Sequence, residues 1–145
     1  MRKAIQRLFS EIGESACYAL SIIKHAETIT KVTFNDGMVL NSLVSGITWG
    51  FIYYNWDNPA DNDNFLVLDA GAFLSRLTGE TWTCIKTDAS YIAQIGELVT
   101  AVWERRKASG TVRHFANPDY DPLGNSLTIA QGTIVGYRVF RKRNA

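Results

Sequence analysis

Long apolar runs are missing from this 145-residue chain: nothing in it approaches the ~20 consecutive apolar residues that a membrane-spanning helix needs. The opening MRKAIQRLFSEIGES has a basic start, but Gln6, Arg7, Ser10 and Glu11 interrupt its apolar residues, so it lacks the core of a secretory signal. A soluble, cytoplasmic protein with no membrane partner is expected. An excess of either charge is also missing, since 15 basic and 14 acidic side chains leave a formal net charge of +1. No global field recruits nucleic acid, and none is expected as a partner. Cysteine and histidine are scarce. Cys17, Cys84, His25 and His114 are scattered without a CxxC or HxxxH pair, which argues against a zinc site. No metal and no cofactor are expected, and in a reducing compartment the two cysteines read as unbridged thiols. DNPADNDNF has some look of a calcium loop. Counted from Asp61, however, position five is Phe65, position six is not glycine and position twelve is not glutamate. An Asx-rich solvated turn is the better reading.

What is present has the length of one domain, residues 1–145, with no internal repeat, low-complexity segment or linker. Ser15 is suited to cap a helix, and ACYALSIIKHAE repeats apolar residues at helical spacing, which predicts a helix over 15–28. MVLNSLVSGITW predicts a second helix ending near Gly50, FIYY a short strand, and LDAGAFLSRLTG a short helix closed by Gly79. Thereafter β-branched and aromatic residues predict strands near 82–87, 97–104, 111–116 and 134–141. Helices first and strands later predict an α+β fold, with N-terminal helices packed on a C-terminal antiparallel sheet.

Cys17 falls in the first turn of its helix, where unpaired backbone N–H groups and the helix dipole favour an anion such as a thiolate. A lone cysteine in an apolar helix is nevertheless more often packing than chemistry. A nucleophile needs a base. His25 lies on the same helix, ~12 Å further along its axis, and reads as a cation at the helix C-terminus. His114, on the strand TVRHF, is followed by Asp119 and Asp121 in NPDYDPLGNS, either of which could orient its imidazole. Alternation along that strand is expected to turn His114 toward the cysteine helix. Cys84, mid-strand in TWTCIKT, reads as a core or sheet-face residue. Among the aromatics of 49–56, Phe51 and Tyr53 read as core and Trp56 as a candidate for a cleft rim. Arg105-Arg106-Lys107 and Arg141-Lys142-Arg143 read as solvated charge.

ACYALSIIKHAE, LSRLTGETW and RHF…DYDPLGNSLTIAQGTIVGYRVF together resemble the papain-like cysteine peptidases, in particular compact bacterial and phage members related to the bacteriocin-processing peptidases. The resemblance spans almost the whole chain, with the His-Phe pair and the D-P-L-G-N-S turn its most specific parts. It implies a thiol hydrolase cleaving an amide bond in a peptide or a peptidoglycan (cell-wall) peptide. Cys17 would be the nucleophile, His114 the general base and acid, and Asp121 the orienting residue, with Asp119 in reserve. In such enzymes a glutamine upstream of the cysteine supplies the oxyanion hole. Here Glu11 stands about where it is expected and Gln6 lies further back; an ionised Glu11 would oppose both a thiolate and an oxyanion. The alternative is a catalytically inactive scaffold that binds a peptide or a partner protein.

Overall fold

A computed structural model describes residues 16–124 and 126–143. Ser15, Gln6 and Glu11 lie outside the described residues. Helix α1, Cys17–Thr30, buries Ala19, Leu20, Ile22, Ile23 and Ala26 on the core. It closes at Lys31, a left-handed residue (φ 59°) whose N–H bonds the Glu27 carbonyl at 2.8 Å. Helix α2, Asp36–Thr48, begins where Asn35 Oδ1 accepts the Met38 N–H at 2.9 Å. Helix α3, Ala70–Thr78, is capped by Asp69, which accepts the Ala72 N–H at 3.0 Å, and ends at Gly79 (φ 75°). Side-chain oxygens at both caps satisfy amides that have no partner within the helix.

FIYY does not form a strand. It makes one isolated bridge, Ile52 to Val67, because the segment between turns on itself. Asn55, Asn58 and Asp61 each accept a backbone N–H two residues on, while Asp61 also receives the Tyr53 hydroxyl at 2.9 Å. These Asx turns occupy the oxygens that a calcium loop would present. Among the described residues there is no cluster suited to hold a metal ion and no helix long and apolar enough to cross a membrane.

Strands β1 (Trp82–Asp88), β2 (Leu98–Lys107), β3 (Gly110–Ala116) and β4 (Thr133–Lys142) form one antiparallel sheet in the order β1-β4-β2-β3. The α+β class is therefore as expected. Phe140, Trp82, Cys84 and Leu98 meet α1, Phe73 and Leu74 of α3, and Ile52 in one core on a single sheet face. A short helix that the pattern does not announce, α4 (Leu127–Gln131), lies between β3 and β4, with Ser126 Oγ accepting the Thr128 N–H at 3.1 Å. Gly132 lets it sit against β2: a Cβ there would stand 2.5 Å from the Glu104 carbonyl oxygen.

His25 is not a helix-end cation. It is buried, with Nε2 2.9 Å from Thr100 Oγ1; Thr100 donates to Asn117 Oδ1 at 2.7 Å, and Asn117 Nδ2 donates to the Ser21 carbonyl at 3.0 Å. With the threonine proton committed to Asn117, the imidazole is the donor. The chain of bonds ties α1 to β2 and to the end of β3. Burial lowers the His25 pKa to about 4, against the opposing pull of Asp119 and of a hydrogen bond to the Val99 backbone. A folded-state pKa below the unfolded one means that the unfolded chain binds more protons on acidification. The stability contributed is thus full above about pH 6.5 and is lost as pH falls toward 4. We expect denaturant unfolding to report a loss of about 2 kcal/mol between roughly pH 7 and 5. The His25→Gln protein should lack most of that slope; an equal slope in both would refute the assignment.

Candidate functional site

Cys17 is the first residue of α1; the cap position falls on Ala16, with no side-chain cap hydrogen bond, rather than on Ser15. Its side chain is 4% exposed, and its Sγ accepts the Phe115 N–H at 3.4 Å, a contact joining residues 98 apart in sequence. The sulfur thus lies at a helix N-terminus and beside a further backbone N–H, both of which favour negative charge nearby. Tyr18, the next residue, stacks on the Phe115 ring with centroids 4.5 Å apart, so α1 is docked against β3 by two successive residues. Ser21, whose hydroxyl donates to the Cys17 carbonyl within the helix at 2.8 Å, adds a third tie through its 3.5 Å approach to the Phe115 carbonyl.

His114 is fully buried, and its Nε2 lies 2.7 Å from Asp121 Oδ1. The carboxylate is held by its own turn: Oδ1 also accepts the Leu123 N–H and Oδ2 the Ser126 N–H, each at 3.0 Å. Asp119 is exposed and makes no such contact. An ionised carboxylate can only accept, so a neutral imidazole in this pair carries its proton on Nε2 and its lone pair on Nδ1. That nitrogen is buried and makes no hydrogen bond among the described residues.

The orientation of the imidazole differs from expectation. Successive side chains of a strand point to opposite faces. The Phe115 ring faces α1, so the His114 ring turns to the other face, where its cross-strand partner is Trp103. Cys17 is under neither face. β3 is an edge strand, and its outer rim holds the sulfur through the Phe115 N–H. The His114 Cα is covalently about 2.4 Å from that nitrogen, which puts it no more than about 6 Å from the sulfur. The two residues meet around the edge of the sheet.

No family model, curated protein or solved structure matches this chain.

Cys84 is a different thiol. Neither cysteine is in a disulfide. Cys84 is half-buried, its Sγ is 3.5 Å from the Tyr18 hydroxyl, and burial raises its pKa and that of Tyr18. Both line an open groove of about 820 Å³ whose walls also include Phe115, the residue whose N–H bonds the Cys17 sulfur, although Cys17 itself does not line it. Its signal in the sequence is slight, because its residues come from five separate segments. Trp56, the candidate for a cleft rim, is 70% exposed, packs edge-on against Tyr54 and does not line this groove. Phe51 packs on the core, while Tyr53 is half-buried. The two basic runs do not converge: the register puts 105–107 beside the start of β4 and 141–143 at its end, roughly 30 Å apart. Arg141 pairs with Glu97, and Lys142 with Glu80 at 3.4 Å.

Proposed function

We propose that this chain is a papain-like thiol hydrolase that cleaves an amide bond in a peptide or cell-wall peptide. One observation carries the reading. A buried imidazole has Nε2 locked to a carboxylate and Nδ1 unengaged among the described residues, on the residue preceding the one whose N–H bonds the cysteine sulfur. In the proposed mechanism His114 Nδ1 takes the Cys17 proton, and the sulfur attacks the carbonyl carbon. Backbone N–H groups at the start of α1 would hold the oxyanion; Gln6 and Glu11, which lie outside the described residues, are the upstream candidates for a side-chain donor, Glu11 only in its protonated form. The imidazolium, stabilised by Asp121, then protonates the leaving amine, and water attacks the thioester with His114 again as base.

A second reading, a non-catalytic scaffold for a peptide or a partner protein, is favoured by the near-complete burial of both Cys17 and His114 and by the turn of the imidazole away from α1. Alkylation separates the two. Access alone would make the half-exposed Cys84 react before the buried Cys17. We expect iodoacetamide at neutral pH, followed by peptide mass mapping, to modify Cys17 first, and His114→Ala to reverse the order. Cys84 reacting first in the wild-type protein would favour the scaffold.

A further inference from the structure

The groove walled by Tyr18 and Phe115, the two neighbours of Cys17, carries an arrangement of charge that the fold does not need. Lys86 on β1 and Arg138 on β4 are direct cross-strand partners, and both line it with Arg143. Like charges placed directly opposite each other on a sheet are destabilising. None of these three cations has an ion pair among the described residues. Arg113, the fourth cation of the groove, is paired with Glu104 at 2.8 Å. Asp69 is the one carboxylate among the lining residues, and it is spent on the α3 cap. The Arg138 guanidinium is also oriented in advance, lying 5.6 Å from the Phe115 ring centroid.

Resting on the hydrolase reading, we propose that this groove binds an acidic segment of the substrate peptide, its carboxylates bridging Lys86, Arg138 and Arg143 on one side of the bond presented to Cys17. A carboxylate between Lys86 and Arg138 would turn their repulsion into two attractive contacts. The exposed Leu66 and Leu68 on the same wall suit intervening apolar side chains. A nucleic acid suits the groove less well. Three unpaired cations are few for a phosphate backbone, and the Phe115 ring already stacks on Tyr18 and holds the Arg138 guanidinium.

The test is calorimetric titration of the full chain carrying Cys17→Ala, which separates binding from turnover. The probes are a Glu-rich synthetic peptide with interspersed leucines, the same peptide with Gln for Glu, and a single-stranded oligonucleotide of equal charge. The Glu peptide should bind about tenfold more tightly than the Gln peptide at low ionic strength, and salt should erase the difference. Lys86→Gln and Arg138→Gln should each weaken it about threefold. Both remove a like-charge contact, so melting temperatures at or above that of the parent would verify folding. Equal binding of the two peptides, no effect of either substitution, or preference for the oligonucleotide would overturn the proposal. Because the titration needs no thiol, such a failure leaves the hydrolase reading to stand on alkylation and turnover, and loss of that reading would show there instead.

Discussion

Cys17→Ala is expected to lower amide hydrolysis by at least about 10⁴-fold while the protein remains folded. The sulfur forms the covalent intermediate in the proposed mechanism, and removing one member of a nucleophile-base unit removes nearly all that the unit contributes. Burial means that the substitution is not a surface change. It takes the acceptor from the Phe115 N–H and leaves a small void at the α1–β3 junction, for a cost of about 1–2 kcal/mol. Cys84→Ala is the comparison: it loses the Tyr18 contact on the groove wall, and any fall in activity should be far smaller than that of Cys17→Ala. Turnover of a peptide pool followed by mass spectrometry, with urea unfolding of each variant, reads both effects. Unchanged hydrolysis in Cys17→Ala would end the nucleophile assignment, and collapse of the fold would mark a structural thiol.

Asp121→Ala should lower both rate and stability. The carboxylate accepts from the His114 ring and from the Leu123 and Ser126 amides, so its loss leaves three donors without their partner. With at least two of them buried or half-buried, a cost of about 2–4 kcal/mol follows. The rate should fall roughly 10³-fold, as the tautomer and position of the imidazole are no longer set. Asp121→Asn separates the two effects. Its Oδ1 can still accept from the ring and from Leu123, but its amide then faces the Ser126 N–H, donor against donor. Asn should therefore retain more activity than Ala yet still cost stability. Equal rates for wild type, Asn and Ala, measured as kcat/KM across pH, would show that Asp121 only shapes its turn.

The turn also explains why Asp119 and Asp121 were indistinguishable by spacing. Both follow His114 closely, and either could have reached it. What decides is the Asx geometry of D-P-L-G-N-S, where Pro122 is buried and the amides of Leu123 and Ser126 turn the Asp121 carboxylate inward. Helix α4 was hidden for a related reason: five residues are too few to display a helical period. His25 reads as a helix-end cation from the charged Lys24 and Glu27 beside it, whereas Thr100, which bonds it, and Asn117, which bonds Thr100, lie far along the chain.

Local chemistry alone determined the three long helices and the four strands, since side-chain periodicity, caps and β-branched runs act within a few residues of each other. It also determined that Cys17 opens its helix and that His114 rides on a strand. Only the tertiary structure decided that the helix start lies at the outer rim of β3 and that His114 turns to the far face. It likewise decided that Lys86 stands opposite Arg138. Strand order and register arise from burying one sheet face against the helices. That choice depends on the whole core, and no window of the sequence contains it.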